Sequence, residues 1–255
     1  MSAPRLVTIR FSHFCEKARW ALERGGFAFE EDFHAPLFHV RPVRRAGGRR
    51  TTPVLVLPDR VLADSTEILR FADAQGAALW PADPASRAEV DTWEDLLDER
   101  LGPAVRRWAY FHLFQLPSRH VVDLFRSAAP DGERRWVAPL FPLVRLGMKK
   151  GLKIDAAGAE RSRVALEEIL SRVETRLATG ARYLVGDAFT AADLTFAALY
   201  GPLVGPATYG APLPGFASLP EPFASVRDTA VARPAGQFAL RLYRDHRTER
   251  LSPAR

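Results

Sequence analysis

Ser12 and Cys15 are the first residues of this chain whose types and spacing could do chemistry. They lie in Phe11-Ser12-His13-Phe14-Cys15-Glu16-Lys17, after an apolar-alternating run and before an amphipathic helical pattern. A strand that stops at a small hydroxyl and restarts as a helix leaves free backbone N–H groups and a positive helix end facing whatever binds there. Such a place favours an anion, a thiolate included. Ser-x-x-Cys is one atom type away from Cys-x-x-Cys, so the chemistry turns on which residue faces the substrate. Cys15, one turn into the helix, reads first as a packed small thiol and second as a reactive one. His13 sits beside Ser12, but adjacent helical positions do not face each other. It is therefore expected to line the outer site or to be solvated rather than to serve Ser12 as a base. His34, His39, His112, His120 and His246 show no metal-ligand spacing, and no metal is expected.

The elements that must position these groups fall into two textures. Residues 5–11 alternate, with Val7, Ile9 and Phe11 on one face, and predict a strand. Residues 13–24 follow as a helix stopped by Gly25-Gly26. Residues 27–33 predict a second strand, and 34–50 a polar, arginine-rich segment. Residues 54–57 and 61–63 flank Pro58-Asp59 as an antiparallel hairpin. A helix then runs from Ser65 to about Ala74. This β-α-β-loop-β-β-α order is a small α/β layer with parallel and antiparallel strands. Beyond a proline-bearing linker the pattern is helical: 85–116, bent near Gly102-Pro103, then 159–178, a capping box at Thr190-Ala191-Ala192-Asp193, and closing helices at 222–229 and 234–246. Residues 201–222 are rich in Gly and Pro and read as irregular. The expected domains are 1–77, a linker at 78–85, and an all-α domain at 86–255 with an inserted segment at about 117–158.

Composition narrows the setting. Hydrophobic residues make up 47% of 255, enough for one large domain or two small ones with a sizeable core. A single cysteine cannot form an internal disulfide, which fits a reducing, cytoplasmic compartment. The first residues, Met-Ser-Ala-Pro-Arg, lack an apolar signal region. A formal charge of +6 permits attraction to anions. The excess is nearly all arginine, and no nucleic-acid-binding signature accompanies it.

Three further segments act with Ser12. Thr52-Pro53, just before the third strand, is a candidate cis-proline. Asp64-Ser65-Thr66-Glu67 starts a helix, either as a capping box of Asp64 with Glu67 or as a carboxylate-binding helix end. The cluster Arg41, Arg44, Arg45, Arg49 and Arg50 is either a solvated loop or a clamp on a carboxylate. Ser-His-Phe-Cys-Glu-Lys-Ala-Arg-Trp-Ala-Leu, Thr-Thr-Pro-Val-Leu and Ala-Asp-Ser-Thr-Glu-Ile-Leu, in this order, resemble the N-terminal half of a glutathione transferase. Tyr183 to Leu194 resembles the capping-box segment of that family's helical domain.

The resemblance implies an α/β thioredoxin-like N-terminal domain followed by an all-α C-terminal domain, often paired as a homodimer. It implies glutathione as co-substrate and a small hydrophobic electrophile as acceptor. Ser12 falls where the family contacts the glutathione sulfur. Thr52 would pair its backbone with the cysteinyl part, Pro53 would be the cis-proline, and Asp64 and Ser65 would bind the γ-glutamyl group. Arg50, or Arg49, is the nearest arginine for the glycine carboxylate. His13 stands where related proteins commonly carry a proline.

The acceptor is expected between the Ser12 loop, residues near Phe38, and the long first helix of the second domain. His13, Phe14, Phe38, Trp108, Phe111 and His112 are the candidate lining residues, with helix core as the alternative for the aromatic group. The stretch from Trp136 to Lys150, with two prolines and a basic end, caps the cavity, touches a membrane surface or is simply packed. The leading function is a transferase in which Ser12 stabilises the glutathione thiolate. The alternatives are a binding or scaffold protein at a membrane surface, and a peroxidase or disulfide reductase using Cys15.

Overall fold

The computed structural model describes residues 3–211 and 219–251. Strands β1 (Arg5–Thr8) and β2 (Glu30–Phe33) run parallel, joined by helix α1 (His13–Arg24). β3 (Val54–Val56) lies antiparallel to β1, and β4 (Val61–Leu62) antiparallel to β3, giving the order β2-β1-β3-β4. Successive strand residues point to opposite faces. Leu6 and Leu55 therefore join the main core with α1 and α3 (Ser65–Ala72), while Val7 and Val54 face the other way. That second face is closed by α2 (Val40–Arg45), through Val43 and the following Ala46. α2 falls in the arginine-rich segment that the sequence predicts as loop. Its apolar side is only Val40, Val43 and Ala46, too short a pattern to read as a helix.

The first strand ends three residues sooner than its alternation suggests. The Ser12 N–H donates to the Ile9 carbonyl at 2.9 Å, and this turn lifts residues 9–11 out of the sheet. The second strand likewise begins at Glu30 rather than Phe27. Phe27 and Phe29 pack against the core from outside the sheet.

The helical part contains α4 (Pro84–Leu96), α5 (Gly102–Leu113), α6 (Ser118–Ser127), α7 (Asp131–Gly151), α8 (Ala156–Ala178), α9 (Ala191–Val204), α10 (Phe223–Ala232) and α11 (Pro234–His246). α4 and α5 are one rod joined by a wider π turn, Leu97–Leu101. Pro103 has no N–H for the carbonyl one turn back, and the π turn absorbs that break. The bend expected at Gly102-Pro103 is this feature. α9 is buried on nearly every side and packs on α1, α4, α5, α10 and α11. Its start is held by Asp193, which accepts the Thr190 and Leu184 N–H groups and the Thr190 hydroxyl, each at 2.9 Å. Burial pushes the Asp193 carboxyl up to about 6 against those three donors.

The sheet and the helices share one hydrophobic core, from Leu6 and Trp20 through Leu97 to Phe196 and Leu242. The extra segment forms α6 and α7, and α7 runs as a helix through Pro139 and Pro142. α9 extends four residues into the stretch read as irregular; residues 212–218 of that stretch lie outside the described residues. Among the described residues no group of three or more His, Cys, Asp or Glu could hold a metal ion. No helix there is long and apolar enough to cross a membrane.

Candidate functional site

Ser12 occupies the N-cap position of α1 with extended backbone, yet its side chain caps no helix N–H. Ser and Asp at N-caps ordinarily spend their oxygen on the second or third N–H. Here the Ser12 hydroxyl is half-exposed at the helix start, so both the hydroxyl and the positive helix end remain for a ligand. The Thr52–Pro53 peptide bond is cis. Thr52 is half-buried and Pro53 buried behind it.

Cys15 is fully buried beneath these two hydroxyls. Burial pushes its thiol up, and the facing Thr52 hydroxyl, Ile9 backbone, Arg19 and Ser12 hydroxyl reduce that rise without cancelling it. A neutral, enclosed thiol is a packing group rather than a nucleophile. His13 meets the first of its two expected places and not the second. It lines the site but is buried rather than solvated, and its Nε2 donates to the Gly102 carbonyl at 3.0 Å. Burial, with the Arg106 charge second, lowers its pKa to about 3 despite that hydrogen bond. The ring is therefore a neutral tie between α1 and α5, and too weak a base to ionise a thiol near neutral pH. Gly102 makes the tie possible. A Cβ there would lie 2.5 Å from the Phe14 Cζ.

Ser12 opens onto a cavity of about 630 Å³, within the usual range of small-molecule sites. One wall comes from the sheet domain: Ile9, Phe11, Ser12, His13, Phe14, Leu37, Arg50 and Thr52. The other comes from the helices: Arg106, Tyr110 and Leu113 of α5, Leu124 of α6, and Leu143, Val144 and Met148 of α7. No Asp or Glu lines it. Of the residues expected at the site, the cavity brings together Ser12, His13, Phe14, Arg50 and Thr52. It does not include Pro53, Phe38, Asp64, Ser65, Trp108, Phe111 or His112.

Helix phase explains the missing aromatics. Positions 106, 110 and 113 share one face of α5, and 108, 111 and 112 turn away from it. Trp108 and Phe111 each meet the His112 ring edge-to-face instead, with centroids 4.4 Å apart for Trp108–His112 and 5.3 Å for Phe111–His112. Phe38 packs against the core, and its neighbour Leu37, at φ 80°, takes the lining position. Arg106 and Tyr110 are lining groups that sequence reading missed, whereas the α7 residues come from the 136–150 stretch, for which a cap on the cavity was one of the expected places. The signal for the first two was spacing four apart on a helix, not residue type.

α7 is fastened to the sheet domain at its start. Glu133 accepts from His34 Nδ1 at 2.6 Å and from the Ala35 N–H at 2.8 Å. His34 Nε2 lies 3.0 Å from Asp32, without hydrogen-bond alignment. Burial alone would lower the His34 pKa; the Glu133 and Asp32 carboxylates more than reverse this and raise it.

Asp64 is exposed and caps α3, with Oδ1 accepting the Thr66 N–H at 2.8 Å and the Glu67 N–H at 3.3 Å. Glu67 does not reciprocate, so the cap is one-sided. Oδ2 and the buried Ser65 hydroxyl make no hydrogen bond among the described residues. Behind them, the fully buried Lys17 joins α1 to α4 through Glu94 and to Asp98 at 2.5 Å. Arg50 and the other arginines of its cluster are exposed, and the Arg50 carbonyl accepts from His39 at 3.1 Å.

Residues 11–75 match the glutathione S-transferase N-terminal domain, and residues 156–226 the glutathione S-transferase C-terminal domain. Together the two stretches cover more than half of the chain. Among solved structures, the chain is similar to a possible glutathione S-transferase from Rhodopseudomonas palustris: 19% identity over 96% of this chain and 95% of that one, TM-score 0.57. A theta class glutathione S-transferase from Xanthomonas axonopodis pv. citri with glutathione bound is 24% identical, covering 94% and 98%, TM-score 0.54. The beta-etherase LigF from Sphingobium sp. strain SYK-6 is 19% identical, covering 94% and 99%, TM-score 0.56. These likenesses are of fold. No curated protein matches the chain.

Proposed function

The chain belongs to the glutathione S-transferase family, and from that premise we propose that it is a glutathione-dependent transferase acting on a hydrophobic electrophile. The observation that carries this reading is the uncapped Ser12 hydroxyl at the start of α1, opening onto a largely apolar cavity. A free thiol ionises near 8.5, so little thiolate exists at neutral pH. A hydroxyl donor and a helix N-terminus both favour the anion.

In the proposed reaction the glutathione thiol gives its proton to water, the Ser12 O–H donates to the resulting thiolate, and the sulfur attacks the electrophilic carbon. The C–S bond forms, and the bond to the leaving group breaks. Thr52 would pair its backbone with the cysteinyl part of glutathione, and Arg50 would meet the glycine carboxylate. Asp64 Oδ2 would take the γ-glutamyl ammonium, with Ser65 taking its carboxylate. The free oxygens of Asp64 and Ser65 and the cation at Arg50 support these roles. The burial of Cys15 speaks against the reductase reading.

The test is retention on immobilised glutathione and conjugation of 1-chloro-2,4-dinitrobenzene, with chloride released. Ser12→Ala is expected to lower kcat/KM about 10- to 100-fold and to remove the ultraviolet band of bound thiolate, the cost of one hydrogen bond to a charged group. Activity and thiolate band unchanged in that variant would remove Ser12 from the mechanism.

One observation favours a second reading. Trp136, Leu143 and Leu146 are exposed on α7 beside Arg134, Arg135, Lys149 and Lys150. A scaffold bound to anionic membrane would use that face. Vesicle flotation lost on Trp136→Ser and Leu146→Ser, with no conjugation by the parent protein, would favour it. We further propose a cytoplasmic homodimer, checked by fractionation of the host cell and by light scattering of the purified chain.

A further inference from the structure

Arg106 is the one charge on the α5 side of the cavity, and its guanidinium has no hydrogen bond or ion pair among the described residues. The Phe14 ring lies 5.9 Å from the guanidinium carbon, the outer limit of a cation–π contact, and the neutral His13 feels the Arg106 charge. Burial works against its protonated form and lowers its pKa; Tyr110 electrostatically opposes this in part, and the adjacent Arg107 charge adds to the lowering. Arginine nonetheless stays charged in proteins. A half-buried cation without a carboxylate is costly to keep, while twelve other arginines among the described residues have carboxylate partners.

One turn further on, Tyr110 lines the same cavity, and its hydroxyl also makes no hydrogen bond among the described residues. Residues four apart on a helix are neighbours, so a cation and a hydroxyl donor stand together on an otherwise apolar wall. Arg106 also borders a second cavity of about 180 Å³, shared with Arg107 and Lys153. Neither cavity has an acidic lining residue. The cationic end thus lies on the helical wall, across from the Ser12, Thr52 and Arg50 wall assigned to glutathione.

We propose that Arg106 and Tyr110 form a carboxylate subsite for the acceptor, so that the preferred electrophile has an apolar body and an anionic end. The apolar body would lie against Leu113, Val144 and Met148, with its reactive carbon toward Ser12 and its carboxylate paired to the guanidinium fork. This rests on the transferase reading for the word acceptor, while the anion subsite can be tested without turnover.

The kinetic test uses 4-chloro-3,5-dinitrobenzoate and its methyl ester. In both, the glutathione C–S bond forms, the C–Cl bond breaks, chloride leaves and the thiol proton goes to water. Intrinsic reactivity cancels when the acid-to-ester ratio of kcat/KM is compared between proteins. Arg106→Gln is expected to lower that ratio about tenfold or more, Arg106→Lys less, and Tyr110→Phe severalfold. A ratio that stays fixed, or a rise in the KM for glutathione in its place, overturns the subsite. Calorimetry with 4-phenylbutyrate and 4-phenylbutanol is the second measurement. Tighter binding of the acid, lost in Arg106→Gln, supports the subsite even if neither chlorodinitro compound turns over, an outcome that would sink only the transferase reading. Equal binding of acid and alcohol, or no effect of Arg106→Gln, overturns it.

Discussion

The two walls of the cavity are built by different means. The sheet-domain wall holds polar groups at places where the backbone itself is specialised: a strand-to-helix turn at Ser12, a cis bond at Thr52–Pro53, an exposed loop at Arg50. The helical wall holds side chains on the flanks of regular helices, Arg106 and Tyr110 on α5 and Val144 and Met148 on α7. Residues 11–75, which match the N-terminal family domain, contain the first wall apart from Ile9. Apart from Pro202, the helical wall lies between the two matched stretches. Backbone-built sites fix a constant chemistry, here an anionic sulfur. A wall of helix flanks can change its occupant by single side-chain exchanges without disturbing a turn. The family resemblance therefore bears on the first wall, and the acceptor must be read from the second wall itself.

The most severe way to break this arrangement is to charge the tie between the walls. His13 is neutral in the folded chain, with a pKa of about 3 against 6.5 for an unburied histidine. The unfolded chain therefore takes up a proton that the folded one refuses as pH falls below 6.5. Stability is full above pH 6.5 and declines toward pH 3, at about 1.4 kcal/mol per unit. Urea unfolding at pH 6.5 and 4.5 is expected to differ by roughly 2–3 kcal/mol from this source. In His13→Asn, which keeps a donor for Gly102 but does not titrate, that slope should shrink. An unchanged slope would move the acid sensitivity elsewhere.

A smaller perturbation works at the same joint. In Gly102→Ala the new methyl would lie 2.5 Å from Phe14 Cζ and 3.2 Å from Cε1 and Cε2. The helix gains about 1 kcal/mol from alanine, against about 1–3 kcal/mol for overpacking. Stability is expected to fall by no more than about 2 kcal/mol by that difference. The displaced Phe14 ring would narrow the cavity. Acceptor KM should rise severalfold, and glutathione KM, which depends on the other wall, should move less.

The α7 half of the helical wall can be loosened alone. His34 has a raised pKa through Glu133 and Asp32, so its contribution is complete below the ordinary histidine value of 6.5 and is lost as pH rises through its folded value. Acceptor KM is expected to climb on that alkaline side. Glu133→Gln should remove the dependence and cost about 1–2 kcal/mol, the worth of a charge-assisted hydrogen bond. Hydrogen exchange in α7, faster in the variant at pH 6 but not at high pH, is the direct measurement.

What could be read from the sequence follows the same division. Ser12, Thr52-Pro53, Asp64 and Thr190–Asp193 are short-range signals, in which a few adjacent residues dictate a turn or a cap. They suffice for the mixed sheet, the helical second part and five of the cavity's lining residues. α7 was hidden because Pro139 and Pro142 each remove a helix hydrogen bond. Both prolines are exposed with Trp136, Leu143 and Leu146, on the side where water can take up the freed carbonyls. α2 was hidden because three apolar residues among arginines do not make a pattern.

The mildest expected effect separates aromatic character from helix phase as the reason for a cavity wall. Trp108, Phe111 and His112 are the aromatic residues that composition singles out on α5, yet they face away from the cavity, with Trp108 and Phe111 each edge-to-face with His112. His112 is neutral, its pKa lowered by burial, and neither ring nitrogen has a hydrogen-bond partner. Trp108→Leu and His112→Leu should therefore leave acceptor KM within about twofold, since they remove no contact with the cavity and leave no buried partner unpaired. Leu113→Ala, with one aliphatic side chain cut from the cavity face, should raise it more, in line with about 2 kcal/mol or more for a buried leucine. If Trp108→Leu changed acceptor selectivity as strongly as Leu113→Ala, the acceptor would be reaching the far side of α5. The division of labour between the two walls would then have to be redrawn around that face.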